Sequence, residues 1–159
     1  MAKTCSILVI DDEENLRRTL ALILKREGYS VTTAASVQEA RQCLRLKSYD
    51  LAFLDMKLPD ASGLTFLPEL RSEYPAMPVL ILTAHDKLES ATDAVRKGAH
   101  DYLLKPVDPQ LIIERVKEIL SENDETNPGR KRYTHLHQLL EDQKLEGSPE
   151  GPPPKKPEE

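Results

Sequence analysis

Leu51-Ala52-Phe53-Leu54 is apolar at four consecutive positions and ends on a lone carboxylate, Asp55, before Met56-Lys57-Leu58-Pro59-Asp60-Ala61-Ser62-Gly63 turns to loop chemistry. A run this short, apolar on both sides of a pleat, cannot lie half in water, and the Pro, Ser and Gly that follow end it. It reads as a buried strand that carries one carboxylate to the edge of a sheet. Asp60, inside the Pro-Asp-Ala-Ser-Gly loop, suits a turn.

The same grammar recurs along the chain. Cys5 to Ile10 is strand-like, and Leu16, Leu20, Ile23 and Leu24 then follow at helical spacing up to Gly28, a stop signal. Ser30 to Ala34 is a β-branched strand candidate, and Ser36 with Glu39 forms a capping box for a helix carrying Ala40, Cys43 and Leu44. After the strand ending at Asp55, Leu64, Leu67 and Leu70 mark a helix. Pro78 to Thr83 is a fourth strand, followed by a helix through Leu88, Ala91, Ala94 and Val95 that Gly98 closes. Asp101 to Leu104 is a fifth strand, and Asp108 with Pro109 starts a last helix holding Ile112, Val116, Ile119 and Leu120. Five strand–helix repeats with strands this apolar predict an α/β fold, a doubly wound parallel sheet covered by helices on both faces.

In such a fold, chemistry collects outside the carboxyl ends of the strands. Asp11 and Asp12 follow the first strand, Asp55 ends the third, Thr83 the fourth and Lys105 the fifth, so all five should meet on one rim. Three carboxylates repel one another unless a cation lies between them, and oxygen ligands with room for water suit Mg²⁺. With that charge offset, an aspartate can attack a phosphoryl group while a hydroxyl and an ammonium stabilise its oxygens. Asp55 is then the nucleophile, Thr83 the hydroxyl and Lys105 the cation. Taken singly, each has a structural reading: Asp11 and Asp12 as helix caps, Thr83 as a strand-end hydroxyl, Lys105 as a solvated charge.

The set Ile10-Asp11-Asp12-Glu13, Leu54-Asp55-Met56-Lys57-Leu58-Pro59, Leu82-Thr83-Ala84 and Leu104-Lys105-Pro106 resembles the receiver domain of bacterial two-component response regulators, over about residues 4 to 122. The resemblance implies a flavodoxin-like five-stranded sheet in the order 2-1-3-4-5 and phosphotransfer to Asp55 from a sensor histidine kinase or a phosphotransfer protein. It implies magnesium ligation by Asp12, Asp55 and the backbone carbonyl of Lys57, with Asp11 assisting through water, and a cis Lys105–Pro106 bond. It also makes Thr83 and Tyr102 the switch pair: phosphorylation draws Thr83 toward Asp55, and Tyr102 moves into the space behind the fourth strand. A half-buried core tyrosine is the plainer reading of Tyr102. The lifetime-tuning positions are Lys57 and His85, neither of which can orient an attacking water, so a long-lived phosphorylated state is expected.

Other features narrow the field. With 159 residues and a formal net charge of −5, the chain has no phosphate-neutralising excess for nucleic acid, and its N-terminal apolar run is too short for a signal core or a membrane span. A cytoplasmic protein is expected. Cys5 and Cys43 are isolated and read as buried thiols. Haloacid-dehalogenase-like phosphatases share a strand-end aspartate beside magnesium but need a second aspartate two positions on, where this chain has Lys57. A degenerate, unphosphorylated receiver serving as a scaffold is a third reading. Residues 123–146 read as a linker with a short amphipathic helix through Tyr133, Leu136, Leu139 and Leu140, containing solvated His135 and His137, and 147–159 as a disordered Pro-rich tail. That length cannot make a DNA-binding output domain. A single-domain signalling regulator is expected, not an enzyme, acting through an unknown downstream protein as a monomer or transient homodimer.

Overall fold

The strands are so apolar that each needs cover on both sides, and the molecule supplies it. A computed structural model of the protein describes residues 4–84 and 88–122. Five strands, β1 (Ser6–Ile10), β2 (Ser30–Ala34), β3 (Leu51–Asp55), β4 (Val79–Thr83) and β5 (Asp101–Leu104), pair in parallel in the order β2-β1-β3-β4-β5. They alternate with helices α1 (Glu14–Arg26), α2 (Val37–Leu46), α3 (Gly63–Glu73), α4 (Leu88–Arg96) and α5 (Pro109–Glu122). Both the strand–helix alternation and the sheet order agree with the expectation from sequence. Residues 123–159 and His85, on which expectations for the tail and for phosphoryl lifetime fall, lie outside the described residues.

Successive residues of one strand serve two cores, because side chains alternate across the pleat. Leu8, Ile10, Ala52, Leu54, Val79 and Ile81 pack beneath α2, α3 and α4 with Ala40, Phe66, Leu67, Leu70 and Ala94. Their neighbours Ile7, Val9, Leu51, Phe53, Leu80 and Leu82 pack against Leu20 and Leu24 of α1 and Ile112, Val116 and Ile119 of α5. Each fully buried Val, Leu, Ile or Phe among them contributes about 1.5–3 kcal/mol of transfer free energy. That burial carries α3 straight through Pro68, which stands inside the helix and would cost about 3 kcal/mol in an unsupported one.

Helix ends follow local chemistry. The backbone reverses at Gly28 and Gly98, both at positive φ, and the amides of Tyr29 and Ala99 donate to the carbonyls of Leu24 and Ala94; this left-handed cap closes α1 and α4 alike. At the start of α2, Ser36 Oγ accepts from the Glu39 amide and Glu39 Oε1 accepts from the Ala35 amide. Asp60 completes that end, and here the structure goes beyond the turn residue expected. Its two carboxylate oxygens accept from the amides of Val37 (2.9 Å) and Gln38 (3.0 Å), 23 and 22 positions earlier. The loop after β3 is therefore tied to the first turn of a helix on its flank.

These amide hydrogen bonds hold the Asp60 carboxyl below its ordinary range. A depressed carboxyl adds stability above its unfolded value and loses it as pH falls through the folded one. Asp60→Ala should lower the melting temperature at pH 7, and the difference from the parent should close in acid. An equal difference at both pH values would mean that the carboxylate does not act as a cap.

Candidate functional site

At the carboxyl edge of the sheet, β1, β3, β4 and β5 end together, and their last residues carry the polar groups. In-register pairing sets Ile10 beside Leu54, Asp55 beside Leu82 and Thr83 beside Leu104. The five residues expected on one rim are therefore neighbours. Asp12, Asp55, Lys57, Thr83 and Lys105 line one open cleft of about 740 Å³, floored in part by Leu16 and Val107.

Asp11 is the fixed point. It is fully buried, its amide donates to the Ala34 carbonyl (3.0 Å), and its own carbonyl accepts from the Arg17 guanidinium (2.7 Å). Its Oδ1 accepts from the Glu13 amide (2.8 Å), leaving Oδ2 facing the Lys105 ammonium at 2.9 Å. That ammonium also lies 3.0 Å from Glu13 Oε1 and 3.4 Å from Asp55 Oδ2. One cation thus serves three carboxylates. Burial pulls the Lys105 ammonium down, yet hydrogen bonds to Asp11 and Glu13 and the charges of Asp11 and Asp55 outweigh it and hold the group above its ordinary value.

Asp55 ends a strand buried at every position. Burial first, and the charge of Asp11 second, push its carboxyl up to about 6, against the opposing pull of Lys105 and of the Lys57 amide that donates to Oδ1 at 3.3 Å. A carboxylate held this way is short of positive charge. Asp11, Asp12 and Asp55 bring ligand oxygens within 4.8 Å of one another, with Asp12 exposed at the rim. An all-oxygen set beside an under-compensated carboxylate has the chemistry to hold a metal ion, and a hard cation suits it best. Thr83 is buried, and its carbonyl accepts from the Lys105 amide (2.7 Å), so the fourth and fifth strands deliver hydroxyl and ammonium as one unit. The Lys105–Pro106 peptide is cis. Tyr102 lies one strand over from Ile81, its side chain buried in the layer beneath α2–α4.

Three contributions escaped sequence reasoning. Glu13 reaches Lys105, a partner 92 positions away, and nothing local marks it. Asp60 caps α2 through space. Gly63 permits a close approach: a Cβ there would stand 2.2 Å from the Asp55 carbonyl oxygen and 2.9 Å from Met56 Cα, both backbone atoms that cannot swing aside. The amide of Gly63 donates to the Met56 carbonyl (2.8 Å), and Lys57 bridges to Ser62, so the loop folds back on the strand that bears Asp55. The Ser-Gly pair was visible in the sequence as a breaker, but its contact with Asp55 was not.

Two measurements follow from this geometry. Gly63→Ala must push the start of α3 away from the end of β3, and urea unfolding should show a loss of about 2 kcal/mol or more; an unchanged midpoint would mean the loop yields freely. For Asp55, a folded value near 6 lies above the ordinary 3.8, so its contribution to stability is intact below the unfolded value and is lost as pH rises through about 6. In a metal chelator, Asp55→Asn should therefore be more stable than the parent at pH 7, by on the order of 2 kcal/mol. The advantage should vanish near pH 4, and a parent as stable as the variant at pH 7 would contradict the strain.

Comparison with known proteins gives this rim a context. Residues 7–117 match the family model of the response regulator receiver domain. The alginate biosynthesis transcriptional regulatory protein AlgB of Pseudomonas putida is 43% identical over 114 residues, covering 71% of this chain and 25% of that protein. The probable transcriptional regulatory protein TcrX of Mycobacterium tuberculosis is 38% identical over 115 residues, covering 72% of this chain and 49% of that protein. The chain thus spans between a quarter and a half of the length of these two relatives. A CheY-like response regulator receiver domain protein from Methanospirillum hungatei superposes with a TM-score of 0.75 at 31% identity, over 79% of this chain and all of that one. The beryllofluoride-activated NtrC4 receiver domain dimer superposes with a TM-score of 0.71 at 30% identity, over 75% of this chain and 98% of that one. Sheet order, matched residues and relatives agree: the chain belongs to the response regulator receiver domain family, homologous to two-component response regulators.

Proposed function

We propose that Asp55 is the phosphoacceptor of this receiver and that its acylation switches a protein-interaction surface. The observation that carries the reading is a buried carboxylate, pushed toward neutrality by its surroundings, that faces an open cleft beside one ammonium and one hydroxyl-bearing strand end. A carboxylate oxygen of Asp55 attacks phosphorus of the donor's phosphohistidine, the P–N bond breaks, and the freed imidazole takes up a proton. Lys105 and the Thr83 hydroxyl then face the phosphoryl oxygens. Asp12, Asp55 and the carbonyl of Lys57 would hold Mg²⁺, with Asp11 assisting through water, and the ion would neutralise charge on the transferring group.

The partners on this reading are a sensor histidine kinase or phosphotransfer protein upstream and a downstream protein target, all in the cytoplasm. No helix among the described residues is long and apolar enough to cross a membrane. For the readout, Thr83 and Tyr102 form the switch pair: the hydroxyl moves to the phosphoryl group, and the buried place of Tyr102 behind β4 is the position that this movement favours. A long-lived acyl phosphate is expected from Lys57, which offers an attacking water neither a carboxylate nor an amide side chain. The same residue counts against a haloacid-dehalogenase-like phosphatase, whose general acid would stand there.

Incubation with acetyl phosphate and Mg²⁺, followed by intact mass, tests the reading. A phosphoryl adduct should form on the parent, fail in chelator and be absent from Asp55→Asn. An adduct that persists in Asp55→Asn would move the acceptor elsewhere, and no adduct on the parent, with beryllofluoride also failing to bind, would favour a scaffold.

A further inference from the structure

The Lys105 ammonium stands among three carboxylates: it donates to Glu13 Oε1 at 3.0 Å and lies 2.9 Å from Asp11 Oδ2 and 3.4 Å from Asp55 Oδ2. A phosphoryl oxygen bound to Asp55 must compete with these carboxylates for the ammonium, and it reaches Lys105 most readily if one of them gives way. Asp11 cannot, because its amide, its carbonyl and Oδ1 are each engaged within a fully buried setting. Asp55 is the residue that would carry the phosphoryl group. Glu13 is different: its side chain is 61% exposed, against 16% for Lys105, so it can leave for water with little loss. It also occupies the N-cap position of α1 without making a side-chain cap, its carboxylate reaching Lys105 instead.

We propose that Glu13 is a positioning residue that holds Lys105 at the mouth of the cleft until an incoming phosphoryl group displaces it. The proposal rests on the reading of Asp55 as phosphoacceptor. It makes Glu13 a brake on phosphorylation: the donor must compete with a carboxylate for the ammonium, and the competition costs rate and affinity together. The contact is with one residue at one distance. Glu14, the next residue, is also acidic and exposed but pairs with Arg18 on its own helix, and serves as the control for charge alone.

The test uses the full chain with Mg²⁺ and compares Glu13→Gln, Glu13→Asp and Glu14→Gln in two readouts: the rate of adduct formation at low acetyl phosphate, and the affinity for beryllofluoride, which needs no chemistry. Glu13→Asp keeps the charge but is one methylene too short to keep the contact. Both Glu13 variants should react faster and bind beryllofluoride more tightly by roughly two- to fivefold, the range of a solvent-exposed ion pair, while Glu14→Gln behaves as the parent. The proposal is overturned if the Glu13 variants match the parent or are slower. It is overturned equally if Glu14→Gln gains as much as Glu13→Gln, or if Glu13→Gln gains and Glu13→Asp does not, since either assigns the effect to long-range charge. A parent that forms no adduct would instead remove the acceptor reading itself, whatever the variants do.

Discussion

The ammonium of Lys105 is the interaction on which the rim depends. Asp11, Glu13 and Asp55 come from the first and third strands and their loops, and each would raise the energy of the others if the fifth strand did not end on a cation. Even so the compensation is incomplete. Asp55 remains displaced toward its neutral form because burial removes water that a surface carboxylate would keep. The fold thus stores electrostatic strain at one atom cluster, and that strain is relieved by whatever brings positive charge or removes negative charge there.

Strain of this kind persists only where the surroundings cannot relax, and the loop after β3 shows how relaxation is prevented. Gly63 lets the start of α3 lie against the Asp55 carbonyl, the Lys57–Ser62 bridge closes the loop on itself, and Asp60 fastens it to α2. Arg41 of α2 then pairs with Glu69 of α3 through two hydrogen bonds and lies over the Phe66 ring, so the helices that flank the loop are joined to each other as well. On the opposite rim wall, the Thr83 carbonyl and the Lys105 amide lock β4 to β5. Asp55 is therefore held between two hydrogen-bonded arms, with the cleft open between them.

Membership of the receiver family explains why such an arrangement recurs on chains with different surroundings. AlgB and TcrX share more than a third of the aligned residues with this chain, and the aligned segment is about a quarter of AlgB and about half of TcrX. What they have in common with it is a matched segment of about 114 residues. A site built from strand ends travels with the fold, because parallel register alone brings the ends together.

The sequence by itself determined the element order, the two-faced sheet and the membership of the rim. Apolar runs such as Leu51 to Leu54 and Val79 to Leu82 admit few other placements, since any exposure would leave several large side chains in water. The stop signals at Gly28 and Gly98 were equally legible, because a helix cap is a local matter of φ and nearby amides. Pairings across the fold were decided only by tertiary structure. That Glu13 rather than Asp12 turns to Lys105, that Asp60 caps a helix lying earlier in the chain, and that Gly63 is required by a carbonyl eight positions before it all depend on distances between segments. Local pattern encodes which face of an element is buried, but it does not encode which atom of another element waits there.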